Sequence, residues 1–201
     1  MYGITAAKLL EDDHGLYQSV EQALQGGMRI LQYRDKSNDA ARRLEQASSL
    51  AGLCRQHDAL FIINDDVELA QKVSADGVHL GKDDDAIASA RNMLGANALI
   101  GCSCYNRLDL AIKSQQLGAD YVAFGRFFAS RTKPQAVEAG IDILQRARES
   151  LDIPICAIGG ITLPNAGSLV EAGADMVAVI EDLFSAEDIG QRAAGYHALF
   201  D

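Results

Sequence analysis

The sequence predicts a single (β/α)8 TIM barrel that occupies residues 1–201 as one domain. Short apolar segments recur eight times along the chain, and amphipathic stretches with apolar residues at helical spacing separate them. One pattern of helix end, turn and buried strand appears three times, as SADGVHLG (74–81), GADYVAFG (118–125) and GADMVAVI (173–180). Near-continuous apolar strands that alternate with helices are typical of a parallel sheet. Eight of them favour a closed barrel over an open doubly wound sheet.

The elements follow one another in a regular order. The predicted strands are YGIT (2–5), RILQY (29–33), LFIIN (60–64), DGVHL (76–80), ALIGC (98–102), DYVAF (120–124), PICAI (154–158) and DMVAV (175–179). Stretches such as YQSVEQALQ and DLAIKSQQLG lie between them and are predicted to be helices. A chain of 201 residues is short for this architecture, so we expect few insertions.

Composition and charge argue against a membrane protein and against a nucleic-acid-binding protein. No apolar run exceeds five or six residues, far below the roughly 20 that span a bilayer, and the first residues lack the pattern of a signal peptide. We therefore expect a soluble, cytoplasmic protein that does not bind membranes. The net charge of −10 and the absence of a basic stripe argue against a nucleic-acid partner.

Cysteine and histidine give no sign of a metal or nucleophile site. The four cysteines lack CxxC spacing and are expected to be reduced core thiols. His79 lies inside a strand, where a core or rim histidine is favoured over a zinc ligand. No nucleophile-plus-base constellation is visible, which argues against covalent hydrolytic catalysis.

In a (β/α)8 barrel the chemistry lies in the loops after the strands. After strand 2, the alternation of an extended segment places Gln32, Arg34 and Lys36 on one face, an amide and two cations aimed together. A solvated loop is the alternative for such a motif alone. The other strand ends carry similar groups.

Acidic residues follow strands 3 and 4. Asn64 and Asp65 come after strand 3, and HLGKDDD places Lys82 and Asp83 to Asp85 after strand 4. Because the two strands are neighbours, their carboxylates can approach one point and bind Mg²⁺ together with substrate phosphate. Helix capping by Asp65 or Asp66, and by Asp85, is the alternative, and both interpretations can hold at once.

The later strands add polar and basic residues. Ser103 follows strand 5 and faces away from its cysteine neighbours. After strand 6, GRFFASRTKP (125–134) has a composition that suits phosphate binding. After strand 7, the paired glycines of AIGGIT (157–162) allow a ligand to approach the backbone closely, just before a helix that Thr162 is predicted to cap. Six of the 18 basic residues fall in these loops: Arg34, Lys36, Lys82, Arg126, Arg131 and Lys133. The loops together predict a polyanion site with a metal.

These motifs, in this order, closely resemble those of the thiamine-phosphate synthase family over nearly the whole chain. YGIT, QYRDK, FIINDD, HLGKDD, IGCSC, GRFFASRTKP and AIGGI all have counterparts there, and the set is specific where any one motif is not. The resemblance implies a transferase that joins a hydroxymethylpyrimidine diphosphate to a thiazole phosphate and releases diphosphate, with Mg²⁺ as cofactor and small molecules as partners. Homo-oligomerisation stays open.

The resemblance also implies roles for individual residues. The pyrimidine diphosphate would be bound by Gln32, Tyr33, Arg34, Asp35, Lys36, Asn64, Ser103 and Lys133. Of these, Arg34, Lys36, Ser103 and Lys133 would carry the catalysis. The thiazole phosphate would be bound by Ser130, Arg131, Thr132, Gly160, Ile180 and Glu181. Asp65 and Asp84 would hold Mg²⁺.

The chain departs from the family pattern at several positions. The departure with most consequence is Glu181, which stands where the family often has Ser, and a carboxylate there would repel a phosphate unless backbone N–H groups make the contact. Two other functions compete with the synthase: a thiazole tautomerase-like isomerase and a non-catalytic thiamine-precursor binding protein. QYRDK with Asp65 and Asp84 argues against the isomerase, which has no use for a diphosphate and metal site. A non-catalytic binding protein would keep the ligand contacts but could lose the metal, and here both metal acids are present. A generic phosphate-sugar barrel enzyme would need an acid/base pair that the sequence lacks.

Overall fold

The protein forms a closed barrel of eight parallel strands surrounded by helices, as a computed structural model shows. The structure describes residues 1–81, 84–129 and 137–200, and for Asp84 and Asp85 it describes the backbone alone. The strands are β1 Tyr2–Ile4, β2 Ile30–Tyr33, β3 Leu60–Asn64, β4 Gly77–Leu80, β5 Leu99–Tyr105, β6 Tyr121–Phe124, β7 Ile155–Ile158 and β8 Met176–Val179. Each strand pairs with the next, and β8 pairs with β1. The predicted fold class and strands are confirmed.

Helices follow the strands around the outside of the barrel. They are α1 Asp13–Gln25, α2 Ala40–Gln56, α3 Val67–Val73, α4 Asp84–Leu94, α5 Leu108–Gln116, α6 Asp142–Ser150, α7 Leu163–Glu171, α8 Glu181–Phe184 and α9 Ile189–His197, with short 3-10 helices at Ala7–Glu11 and Ala198–Phe200. No helix in the described ranges has the length and apolar character needed to cross a bilayer.

Two hydrophobic clusters separate the two faces of the strands. The larger cluster fills the space between the barrel and the helices, with buried residues such as Leu31, Phe61 and Ile100. The smaller one lies inside the barrel and contains Tyr2, Ile4, Tyr121, Ala123, Cys156 and Ala178. Because alternate residues of a strand face opposite sides, each strand contributes to both faces.

The threefold repeat in the sequence corresponds to one recurring hydrogen bond. Asp76, Asp120 and Asp175 each precede an even-numbered strand, and each carboxylate accepts a backbone N–H at the start of the strand before it. The donors are Phe61, Ile100 and Ile155, at 2.7, 2.7 and 2.8 Å. The repeated acid thus ties β4, β6 and β8 to the preceding strand at the N-terminal end of the barrel.

All four cysteines are free thiols and buried, as predicted. Burial raises the pKa of the Cys54, Cys104 and Cys156 thiols to about 12. These groups therefore stay protonated in the folded chain at neutral pH, and they are poor nucleophiles because the thiolate is the reactive form.

We predict that alkaline pH destabilises the fold through these thiols. Above about pH 9 the unfolded chain releases thiol protons that the folded chain retains, so the free energy of unfolding falls as pH rises, by up to about 1.4 kcal/mol per pH unit for each thiol. Thermal unfolding between about pH 8 and pH 11 measures this, with a high-salt series as the control for charge repulsion. A midpoint that stays constant above pH 9 would contradict the prediction.

The barrel also depends on Gly77, where a Cβ would lie 1.9 Å from the carbonyl oxygen of Leu99. We expect Gly77→Ala to lower the free energy of unfolding by about 1–3 kcal/mol through overpacking, measured by urea denaturation. Gly52→Ala is the matched control. Gly52 lies in α2, and a Cβ added there would meet nothing within 4 Å, so alanine should raise stability by about 0.5–1 kcal/mol. Equal effects from both variants would refute this account of Gly77.

Candidate active site

A pocket opens at the carboxyl ends of the strands, and residues on or directly after all eight strands line it. Its polar and charged lining residues are Tyr2, Gln32, Arg34, Asn64, His79, Ser103, Tyr105 and Arg126. The apolar part of the wall includes Ile4, Ala123, Cys156, Ile158, Ala178 and Ile180. This is the end of the barrel where the sequence predicted the chemistry.

Alternation along β2 and the segment after it directs side chains to two opposite sides. Gln32 is 3% exposed, and Gln32 and Arg34 both line the pocket, as the alternation predicted. Tyr33 and Asp35 point the other way. The Tyr33 hydroxyl donates to Gln46 Oε1 at 2.8 Å, and the Asp35 carboxylate accepts the backbone N–H of Ser37 at 2.7 Å. These two expected ligand contacts thus lie outside the pocket, where they shape the loop that carries Lys36.

A buried threonine fixes the backbone at Arg34. Thr5 is 1% exposed, and its hydroxyl accepts the backbone N–H of Arg34 at 2.8 Å. The end of β1 therefore holds the end of β2 through a side chain, which reduces the freedom of the arginine backbone at the pocket edge.

The two acids after β3 have different roles. Asp66 caps α3, since its carboxylate accepts the backbone N–H of Leu69 at 2.9 Å, and it also pairs with Arg43 at 2.7 Å. Asp65 has a φ of +62° and lies exposed at the rim. Of the two interpretations left open by the sequence, capping applies to Asp66, and Asp65 remains available for a ligand.

The surroundings of Asp65 suit a cation. Lys36 Nζ lies 2.6 Å from Asp65 Oδ2, and the Asn64 side-chain amide donates to the same oxygen at 2.8 Å. The pair is half exposed, so it contributes little to stability and can exchange partners. A carboxylate that already binds an ammonium group at an open rim offers the oxygen ligand that Mg²⁺ prefers.

The second expected metal ligand, Asp84, is the first residue of α4. This position places Asp84 directly after the β4 loop, but its side chain lies outside the described residues, as does Lys82. Asp85 is the second residue of α4, and its side chain, which the sequence offered as a cap of this helix, lies outside the described residues. Among the described side chains, no group of three His, Cys, Asp or Glu residues could hold a metal.

A continuous hydrogen-bonded chain crosses the floor of the pocket. Gln32 Nε2 donates to the Tyr2 hydroxyl at 2.6 Å, and that hydroxyl is 2.9 Å from the hydroxyl of Tyr121. The Tyr121 hydroxyl is 3.0 Å from His79 Nδ1, and His79 Nε2 is 2.9 Å from Ser103 Oγ. Five residues on five strands are thereby joined. We call this chain the floor network.

Burial keeps the two tyrosines of the floor network neutral. Both lie in the smaller hydrophobic cluster, and burial raises the pKa of Tyr2 and of Tyr121 above the usual range of a phenol. They therefore act as hydrogen-bond donors and acceptors and do not supply a phenolate base.

Ser103 lines the pocket as expected, but sequence reasoning missed Tyr2 and Tyr121 as site residues. Both lie inside strands, below the loops where the search for polar residues was made. His79 was expected in the core or at the rim, and the structure places it in the pocket floor, 9% exposed. The sequence did contain a signal for them. A polar or phenolic side chain at an inward position of a buried strand needs a hydrogen-bond partner, so such positions predict a polar network inside the barrel.

The strand ends on the opposite side contribute glycines and a further cation. Gly159 lines the pocket, and Gly160 packs so closely that a Cβ would lie 2.3 Å from the carbonyl oxygen of Ala129. Thr162 is the N-cap residue of α7, as predicted, and its backbone N–H donates to Asn165 Oδ1 at 2.8 Å. Arg126, which was not assigned a ligand role, lines the pocket and pairs with Glu138 at 3.3 Å.

The expected thiazole phosphate residues include two that follow β8, Ile180 and Glu181. Ile180 lines the pocket, whereas Glu181 is exposed at the first position of α8. Ser130, Arg131, Thr132 and Lys133 lie outside the described residues. The described part of the site therefore contains the Gln32, Arg34, Asn64 and Ser103 group in one pocket, with the Lys36–Asp65 pair at its rim.

Comparison with known proteins agrees with this geometry. The family model described as thiamine monophosphate synthase matches residues 1–183. The thiamine-phosphate synthase of Nitrosococcus oceani is 52% identical over 200 residues, which cover 100% of this chain and 92% of that protein. The thiamine-phosphate synthase of Chromobacterium violaceum is 54% identical over 193 residues, which cover 96% of this chain and 92% of that protein.

A solved structure gives the same result. The thiamine phosphate pyrophosphorylase from Pyrococcus furiosus superposes with a TM-score of 0.88 at 35% identity, covering 99% of this chain and 94% of that one. The chain belongs to the thiamine monophosphate synthase family of transferases.

Proposed function

We propose that this protein couples 4-amino-2-methyl-5-(diphosphooxymethyl)pyrimidine with 4-methyl-5-(2-phosphoethyl)thiazole, or with its carboxylated form, to give thiamine phosphate and diphosphate. The observation that carries the proposal is a single pocket with two zones. Its floor presents neutral hydrogen-bonding groups, and its rim on the β2–β3 side presents Arg34 and the Lys36–Asp65 pair. This arrangement suits a flat heterocycle below and a polyanion above.

The reaction breaks the bond between the pyrimidine methylene carbon and the diphosphate oxygen, and it forms a bond from that carbon to the thiazole nitrogen. Negative charge grows on the leaving diphosphate, so fixed positive groups lower the barrier. Arg34 and Lys36 at the rim are the described cations on the β2 side, with Arg126 on the β6 side. Lys133 is proposed as a further contact.

No general base is required in this scheme. The thiazole nitrogen attacks with its lone pair, and the aminopyrimidine supports cationic character at the methylene carbon, so we propose a dissociative displacement. The neutral state of Tyr2, Tyr121 and the buried Cys156 thiol agrees with this, because none of them offers an anion in the floor of the pocket.

We propose Mg²⁺ as the cofactor, held by Asp65 and Asp84 together with diphosphate oxygens. When bound, the ion would neutralise part of the diphosphate charge. The residues support this assignment in one respect: the Asp65 carboxylate is already paired with a cationic group at 2.6 Å and is open to solvent. Lys36 would then turn from Asp65 to the diphosphate, since an ammonium group on a flexible stem can change partners.

For the thiazole phosphate we propose the opposite side of the pocket. Ile180 supplies an apolar wall there, and the Gly159–Gly160 backbone lies ahead of the N-terminus of α7. Helix N-termini and glycine backbones bind phosphate through N–H groups. Ser130, Arg131 and Thr132 are proposed as further contacts. Glu181, which is exposed, would contribute through its backbone.

The test is to mix both substrates with Mg²⁺ and measure thiamine phosphate and diphosphate, comparing the wild type with Asp65→Ala. We expect coupling by the wild type and a loss of about 10²-fold or more in the variant, because a carboxylate that would hold Mg²⁺ beside the leaving group is removed. Titration of Mg²⁺ should show a higher requirement in Asp65→Ala.

The neighbouring carboxylate provides the matched control. Asp66→Ala removes the cap of α3 and the pair with Arg43, so it should cost about 1 kcal/mol of stability and leave the Mg²⁺ requirement near that of the wild type. Wild-type Mg²⁺ dependence in Asp65→Ala would contradict the metal assignment. Tautomerisation of the thiazole without coupling by the wild type would instead favour an isomerase.

A further inference from the structure

The hydrogen bonds of the floor network run in one definite direction from donor to acceptor. The Gln32 amide nitrogen donates to the Tyr2 oxygen, and a phenol has one proton of its own to give. The Tyr2 hydroxyl has no hydrogen-bond partner besides Gln32 and Tyr121 among the described residues. If Tyr121 donated to Tyr2, the Tyr2 proton would be buried without an acceptor, which is unfavourable. Tyr2 therefore donates to Tyr121.

The direction continues through the histidine. The Tyr121 oxygen accepts the hydrogen bond from Tyr2, so the Tyr121 hydroxyl donates its own proton to His79 Nδ1, 3.0 Å away. With Nδ1 as an acceptor, His79 is the neutral tautomer that carries its proton on Nε2. That N–H donates to Ser103 Oγ at 2.9 Å. The Ser103 proton is then left to donate into the pocket, which this residue lines.

The backbone is shaped to hold Tyr121 in this position. Gly101 on β5 lies beside Tyr121 on β6, and a Cβ at Gly101 would come within 2.0 Å of the tyrosine Cζ. The Tyr121 ring thus occupies the space that any other residue at position 101 would fill. Its edge-on packing against Tyr2, with ring centroids 6.1 Å apart, fixes it from the other side.

We propose that Tyr2, Tyr121 and His79 are positioning residues that give the pocket a fixed hydrogen-bond polarity. Gln32, at the start of the floor network, presents its carbonyl oxygen as an acceptor, and Ser103, at the end, presents a donor. This pattern selects a heterocycle with a donor and an acceptor in matching places, such as the exocyclic amine and a ring nitrogen of an aminopyrimidine. An oxopyrimidine has a carbonyl acceptor in place of the amine and a ring N–H in place of the acceptor nitrogen, so its pattern is the reverse of the one that Gln32 and Ser103 present. The choice of this heterocycle rests on the proposed function.

The tautomer of His79 can be observed without any substrate. Protein labelled with ¹⁵N in histidine, compared with a His79→Gln variant for assignment, should show an unprotonated Nδ1 and a protonated Nε2. In Tyr121→Phe the ring is kept and the donor to Nδ1 is lost, so the His79 nitrogen signals should shift towards a mixture of tautomers. A protonated Nδ1 in the wild type, or unchanged signals in Tyr121→Phe, would overturn the proposal.

Kinetics supplies the second readout. Tyr121→Phe should lower kcat/KM for the aminopyrimidine diphosphate by about tenfold and reduce its preference over the oxo analogue by a similar factor. Tyr196→Phe is the control, because the Tyr196 hydroxyl is also buried and donates to Asp182 at 2.7 Å, but outside the pocket. It should change neither the His79 signals nor the preference.

The two readouts separate this proposal from the proposed function. If the wild type does not couple the substrates but His79 carries its proton on Nε2 and responds to Tyr121→Phe, the proposed function fails and the polarity of the floor network stands. If coupling is normal and Tyr121→Phe keeps the wild-type preference for the amino over the oxo substrate, the positioning role is refuted.

Discussion

The alternation of side chains along eight short parallel strands is the constraint on which the rest of this molecule depends. Closure of the barrel gives each strand one face towards the helices and one towards the interior, so a shift of one residue would exchange the two sets. Gln32 and Arg34 reach the pocket because Tyr33 and Asp35 face outwards. Ser103 reaches it because Cys102 and Cys104 pack under the helices. The strand register that packs the core therefore also places the pocket residues.

The interior is apolar near its base and polar at the pocket floor, and this gradient places a buried hydrogen-bonded chain under an open, charged rim. Buried polar groups are favourable only when their partners are complete, and the Tyr2–Tyr121–His79 chain meets that condition across the barrel. Charged groups such as Lys36 and Asp65 remain in solvent, where desolvation costs them little. A hydrogen-bonding floor and an ionic rim suit the proposed substrate, a flat ring that carries a diphosphate.

The features that could be predicted from the sequence are those that depend on hydrophobic periodicity and on the chemistry of residues in the loops. The eight strands, the inward direction of Gln32 and Arg34, the orientation of Ser103 and the capping of α3 by one of two adjacent acids follow from local rules, and the structure agrees. The floor network could not be predicted in the same way, because Tyr121 meets Tyr2 across 119 residues of sequence and only barrel closure brings them together. Tyr33 and Asp35 were assigned to the ligand by resemblance of the motif, and alternation directs them elsewhere.

The central claim is that one pocket holds the pyrimidine ring on the floor network and the diphosphate at the rim formed by Arg34, Lys36 and Asp65. A crystal structure with Mg²⁺ and an unreactive analogue of the pyrimidine diphosphate tests it most directly. We expect the ring between Gln32 and Ser103, with its amine towards Gln32, and the ion bound to Asp65 and the diphosphate. A ring bound outside the barrel mouth, or an ion that does not contact Asp65, would contradict the account.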